Sequence, residues 1–226
     1  MSDFLVFGSG LALWLYALQQ RSLPWLASLT AMKGVASAGW LVTALTVSTT
    51  HLMYAFIWYN PKKFTSICAR PPLRLLGDHP VDIFHHLVIF LKALQQLAAA
   101  TLFAGGSMTT LVSMIAATSA TEWGVMMVLM AVGQLLNAAI YKAIGKDGVY
   151  FGFKLGRHVP WSTAFPFNAG FRHPQYVGAT LSQLAVLLPL ATPAGIEAGL
   201  APLAAFWIVA YAATSYMEAS GDNDGS

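Results

Sequence analysis

Charge is the scarcest property of this 226-residue chain: Asp, Glu, Lys and Arg make up 9% of it, against 57% hydrophobic residues, and the mean hydropathy is +0.61. Soluble domains average about 25% charged residues. The deficit excludes a water-facing globular surface and marks an integral membrane protein. The net charge of +3 comes from scattered Lys and Arg, with no basic run long enough to suggest nucleic acid. Cysteine is nearly absent as well. The single Cys68 excludes an internal disulfide and an all-cysteine metal site and says little about redox compartment; a chance small residue beside the membrane surface is its plainer reading. The opening Met1-Ser2-Asp3 lacks the positive region of a secretory signal, and the apolar run behind it has no small-residue cleavage pattern. That run reads as a retained span, or one lying partly in the interface.

Apolar length is what the chain has in quantity. A helix needs about 20 apolar residues to cross about 30 Å of hydrocarbon. Residues 36–59, 81–103, 123–144, 176–190 and 200–217 are the candidates; 4–18 is shorter, 23–33 suits a helix lying along the surface, and 108–120 is too short and too rich in Ser and Thr. Backbone groups in lipid must pair within their own span, and these runs lack the alternation of a barrel. The expectation is an all-α polytopic bundle of about five to six spans plus an interfacial segment. Residues 1–220 form one membrane-embedded domain, followed by a disordered polar tail, 221–226.

Loop charge orients the bundle. The linker 60–80 carries Lys62, Lys63, Arg70 and Arg74, and the linker 145–175 carries Lys146, Lys154, Arg157 and Arg172. Two spans separate them, so eight of the twelve basic residues share one face, which the positive-inside rule makes cytoplasmic. Arg21 and Lys33 fall on the opposite side, a mild contradiction. Trp58, Tyr59, Trp123, Tyr150 and Trp161 flank spans where aromatic belts sit.

Polar residues inside the runs are His51, Lys92, Gln95, Gln96, Gln134, Asn137, Gln183 and Glu218. Interhelical hydrogen bonding is the bland account of the amides. Lys92, near the middle of its run, must snorkel, neutralise or find a partner. Adjacent His85 and His86 point to different sides of a helix and make a poor zinc site; either is suited to act as a base. Capping and interfacial hydrogen bonding are the expectation for Asp82.

Chemistry is densest from residue 145 to 218. Glycines punctuate the helix exit at Gly145, Gly148 and Gly152, permitting positive φ or close approach of a ligand, although an ordinary glycine helix end reads the same way. The aromatic turn Phe165-Pro166-Phe167-Asn168 precedes Arg172-His173-Pro174. Proline excludes its predecessor from the helical region, and the helix starting near Tyr176 presents free N–H groups there. Arg172, His173 and that helix start suit a carboxylate or phosphate; mere contact with lipid phosphates is the alternative.

The order GQLL (133–136), DGVYFG (147–152), FPFN (165–168), HPQYVGATL (173–181) and Tyr216-Met217-Glu218 resembles the small phospholipid N-methyltransferases, and NPKKF (60–64) is similar to an upstream motif of that group. The Arg-His-Pro-x-Tyr-x-Gly turn is shared with the wider isoprenylcysteine carboxyl methyltransferase-like membrane methyltransferases. Two departures stand out: the Gly-x-Gly of the family reads Ala143-Ile144-Gly145, and its Glu-Glu pair reads Met217-Glu218.

The resemblance implies transfer of a methyl group from S-adenosyl-L-methionine to the amine of phosphatidylethanolamine or its mono- and dimethyl derivatives, in phosphatidylcholine synthesis. It implies cofactor contacts from Gly145, Gly148, Gly152, Arg172, His173 and Glu218, with Glu218 on the ammonium and Arg172 or His173 on the carboxylate. On the substrate side it implies Tyr150, Phe165, Phe167, Asn168 and Tyr176, with the phosphate near Arg157 or the Lys62-Lys63 pair. His173, His158 and His86 are the catalytic candidates, and His85 is a further proton relay. No metal and no nucleic acid are implied; the partners are a membrane phospholipid and the bilayer. The location implied is the endoplasmic reticulum membrane in a eukaryote or the inner membrane in a bacterium. Two other readings are carboxyl methylation of a prenylated cysteine or other lipid-like acceptor, and a non-catalytic membrane scaffold.

Overall fold

Local sequence signals set most of the helix ends. A computed structural model of the chain describes residues 1–20, 35 and 37–221. Arg21, Lys33, the expected surface segment 23–33 and all but the first residue of the expected tail lie outside them. Among the described residues there is no strand. The helices are α1 (Ser2–Gln20), α2 (Ala38–Tyr59), α3 (Pro61–Cys68), α4 (Pro80–Phe103), α5 (Met108–Ala116), α6 (Ala120–Val149), α7 (Pro174–Leu187), α8 (Pro193–Glu197) and α9 (Leu200–Gly221). Ser37 caps α2 by accepting from the Trp40 N–H, and Ser119 and Glu122 form a reciprocal capping box on α6. α4 begins with Pro80 at its first turn, where the missing N–H costs nothing. Its cap is the His79 imidazole, which accepts from the Val81 N–H at 3.2 Å.

Four helices, α2, α4, α6 and α9, are long and apolar enough to cross a membrane. α5 is short, as its length and composition foretold. The run 176–190 differs from expectation: its helix starts at Pro174 and stops at Leu187, because Pro189 has no N–H to donate to the Ala185 carbonyl and continue the ladder. Fourteen residues rise about 21 Å, too little for a span on their own. Nearly every α7 residue is buried, so α7 is encased by protein, not by lipid.

Side-chain ties fix the directions. Asp3 meets the backbone of Arg172 and His173 while Gly10 lies against Leu181, so α1 and α7 run parallel. Trp40 donates to the Gly199 carbonyl at 3.0 Å and His51 Nδ1 lies 2.9 Å from the Thr214 hydroxyl, so α2 and α9 run parallel. Gln95 donates to the Val47 carbonyl and the Thr50 hydroxyl, tying α4 to α2. α6 and α7 cross at Gly133, Gly178 and Ser182: a methyl added at Gly178 would sit 2.6 Å from the Gly133 carbonyl oxygen. Small residues allow that approach. These ties gather residues 1–3, 59–80, 149–176 and 218 at one end of the bundle, together with the basic residues of both linkers.

That end has its own aromatic core. Tyr54, Phe64, Phe84, Tyr150 and Phe151 are buried there. Tyr54 and Phe84 meet edge-on at 5.0 Å, as do Phe84 and Tyr150 at 5.4 Å, the geometry that the ring quadrupoles favour.

Candidate active site

The segment 165–176 is short, polar and punctuated by proline, so it cannot extend either flanking helix. Gly170 turns it with φ +81, a left-handed conformation natural to glycine. His173 is held outside the helical region, at φ −132 and ψ 57, before Pro174, the first residue of α7. The first turn of α1 clamps the segment from outside. Asp3 accepts from the N–H of Arg172 at 2.8 Å and of His173 at 3.2 Å, and the Ser2 hydroxyl donates to the Ala169 carbonyl.

Inside the clamp, the Tyr176 hydroxyl donates to Glu218, and His173 Nδ1 lies 3.8 Å from the other Glu218 oxygen. Glu218 is 8% exposed and stands near the end of α9. A carboxylate so buried requires partners, and the phenol and imidazole supply them. Beside this trio a cavity of about 440 Å³ opens between α1, α7 and α9. Its walls include Phe4, Phe7, Tyr176 and Tyr211, and Asp3, Arg172 and His173 form its polar end. A second cavity of about 200 Å³ lies within the bundle, lined by His51, Lys92, Gln134, Asn137, Tyr150 and Gln175 among others. Tyr176 and Tyr211 line both.

His173, Arg172, Glu218 and Tyr176 therefore come together, and Tyr150 faces the inner cavity. The glycines do not line either cavity. Gly145 breaks the helical geometry of α6 with φ +68 and ψ 178, and a side chain there would meet nothing within 4 Å. Gly148 and Gly152 serve the turn itself: an added methyl would lie 2.6 Å from the Ile144 side chain and from the Asp147 carbonyl, respectively. The family's first glycine, replaced by Ala143, falls in the regular part of α6, where a methyl group is no burden.

The other candidates sit apart. Asp82 forms an ion pair with Lys146 and lies 4.0 Å from Arg157; it joins α4 to the end of α6 while His79 performs the capping. Burial, aided by Arg157, holds the His79 imidazole below its ordinary pKa, which keeps it the neutral acceptor that the cap needs. His86 Nδ1 lies 2.7 Å from the Leu76 carbonyl, and the His85 ring packs 4.9 Å from Tyr150. His158, Asn168, Lys62 and Lys63 are exposed. Phe165 is exposed with its ring 6.4 Å from Phe171, and Phe167 packs half-buried with Met217 against the aromatic core. Gln95, Gln96 and Gln134 make interhelical hydrogen bonds, the bland role of an intramembrane amide. Sequence reasoning missed Ser2 and Asp3; an acid at a helix start was the available sign.

The bundle brings a buried acid, a phenol and an imidazole to its basic end, beside an open cavity and an inner one, an arrangement that suits a membrane-embedded enzyme. Residues 121–219 match the family model for phospholipid methyltransferase. The chain is 31% identical over 147 residues, 65% of its length and 77% of the relative's, to the phosphatidyl-N-methylethanolamine N-methyltransferase of Arabidopsis thaliana. No solved structure matches. The chain belongs to the phospholipid methyltransferase family and is a membrane methyltransferase.

Proposed function

We propose that the chain methylates the headgroup amine of phosphatidylethanolamine or its mono- and dimethyl derivatives, with S-adenosylmethionine as donor and the site at the basic end of the bundle. The observation that carries this reading is Glu218, buried between Tyr176 and His173 beside the larger cavity. The residues fit the donor: about 440 Å³ suits a nucleoside with an amino-acid tail, aromatic walls suit adenine, and an acid stands beside a base for the zwitterionic end. When bound, this cofactor supplies an electrophilic sulfonium methyl.

The chain's own residues bind and orient. Glu218 pairs with the ammonium of the donor, and Arg172 and His173 balance its carboxylate. Phenol rings between the cavities, Tyr176 and Tyr211, give π-faces to a methylated ammonium, each contributing about 0.5–2 kcal/mol. Tyr150 does the same from the inner cavity. The acceptor nitrogen must be unprotonated and in line with the methyl, so positioning supplies most of the rate enhancement. His173 is the imidazole nearest the centre and the candidate to take the amine proton; His158 and His86 line neither cavity. Glycine at 145 leaves room for close approach of a ligand from outside the two cavities.

The positive-inside rule puts the basic end in the cytoplasm, in an endoplasmic reticulum membrane in a eukaryote or the inner membrane in a bacterium. An amine acceptor is favoured over a prenylcysteine carboxylate by the relative's own activity. The test is methyl transfer from labelled cofactor by purified protein in nanodiscs containing each of the three phospholipid amines, with farnesyl-cysteine as comparison. Label in the lipid amines supports the reading. Label confined to farnesyl-cysteine, or none in any acceptor, overturns it.

A further inference from the structure

Below the Asp82–Lys146 pair, α4 and α6 do not pack together as the neighbouring helices do. Polar groups line the gap where lipid-facing helices carry apolar ones: Lys92 from α4, and Gln134, Asn137 and Tyr141 from α6. Gln134 and Tyr141 are exposed, although both lie within the long apolar helix α6. The gap leads to the inner cavity of about 200 Å³, whose far wall is the Tyr176–Tyr211 pair shared with the larger cavity. His51, on its lining, has Nδ1 engaged by Thr214 and a buried Nε2 with no hydrogen-bond partner.

The charge balance of this cavity is one-sided. Its lining includes an ammonium, three amides and several phenols, and no carboxylate among the described residues. Lys146 and Arg157 have Asp82, and Glu218 is engaged by Tyr176 and His173. A lysine at membrane depth is costly unless an anion meets it. Helical side chains lean toward the N-terminus of their helix, so Lys92 reaches toward the basic end and the tyrosines.

We propose that the inner cavity is a phosphate subsite: Lys92, with Gln134, Asn137 and the neighbouring hydroxyls, holds the phosphodiester of an acceptor lipid that enters sideways between α4 and α6. The two-carbon arm of the headgroup then turns its amine toward Tyr176 and the donor beyond, while the acyl chains stay in the bilayer. The proposal rests on the methyl-transfer reading and adds to it the route and anchor of the acceptor.

The experiment compares wild type, Lys92→Met and Lys92→Arg. Binding of a short-chain phosphatidylethanolamine, measured without cofactor, should weaken about tenfold in Lys92→Met, the loss of one charge-assisted contact, and recover in Lys92→Arg. The ratio of kcat/KM for phosphatidyl-N-methylethanolamine to that for a phosphate-free N-methyl alkylamine should fall by about the same factor, with cofactor affinity unmoved. Unchanged lipid binding overturns the proposal. So does a fall in cofactor affinity, which would give the cavity to the cofactor. Inorganic phosphate is the other source of this chemistry: if it binds wild type but not Lys92→Met while lipid binding is the same in both, the site takes a free anion and the lipid assignment falls. Absence of methyl transfer with the Lys92-dependent lipid binding intact would count against the methyl-transfer reading alone.

Discussion

Tyr176 and Glu218 meet across the bundle, the phenol in the first turn of α7 donating to the carboxylate near the end of α9. His173 approaches the same carboxylate from the other side. Two segments 42 residues apart are thereby held together by buried polar contacts at the mouth of the larger cavity. Removing either partner strands the other, and the two removals differ in what they cost.

Tyr176→Phe leaves a buried carboxylate without its donor and should destabilise the protein by about 1–3 kcal/mol. Glu218→Gln keeps a hydrogen-bonding group but removes the charge, so it should lower cofactor affinity about tenfold or more with a smaller change in Tm. Thermal unfolding in detergent and equilibrium cofactor binding, measured on both variants, separate the two effects.

Asp3 accepts two backbone N–H groups at the turn that carries Arg172 and His173. Asp3→Ala should cost about 1–2 kcal/mol, the range for loss of a capping acceptor. It should also speed proteolysis within 165–175 and raise the cofactor KM severalfold. Limited proteolysis followed by mass spectrometry checks the local loosening directly.

The α6–α7 crossing tolerates no side chain at its centre. In Gly178→Ala the new methyl would lie 2.6 Å from a backbone oxygen, and the helices must part at a cost of about 1–3 kcal/mol. Gly8→Ala is the control: nothing lies within 4 Å of its added methyl, and alanine should stabilise α1 by about 0.5–1 kcal/mol. Melting curves of the two variants should move in opposite directions.

His79 caps α4 only while its imidazole is neutral. Its folded pKa is lowered by burial and by Arg157, so the charged form is the one that folding disfavours. The stabilisation is fully present above the unfolded pKa of about 6.5 and is lost as pH falls through the lower folded value. His79→Ala should therefore cost about 0.5–1 kcal/mol at pH 8, and the difference from wild type should vanish in acid. Unfolding curves at a series of pH values test the sign.

Much of this was legible in the sequence. Scarcity of charge and the lengths of the apolar runs announced α2, α4, α6 and α9, and Pro166 and Pro174 marked the turn that bears His173. The run 4–18 was read as a retained span or one lying partly in the interface, and it is helical within α1, where Gly10 is what lets α1 approach Leu181. The membership of Glu218 and His173 in one site came from resemblance to a family, since nothing in spacing predicts which helices meet. Asp3 was invisible because its partners are backbone N–H groups, which leave no trace in side-chain patterns. The roles given to Gly148 and Gly152 illustrate the converse: a motif glycine can serve its own turn, and only geometry distinguishes that from an opening for a ligand.

The encasement of α7 bears on how the chain enters a membrane during synthesis. Its fourteen-residue length and scattered small and polar residues give an insertion machine little reason to release it sideways on its own. The protein walls that cover it include α9, which leaves the ribosome later. Its largest walls, α6 and α1, are made before it, so α7 has protein to enter against at once, and the site lacks its acid, Glu218, until α9 closes it.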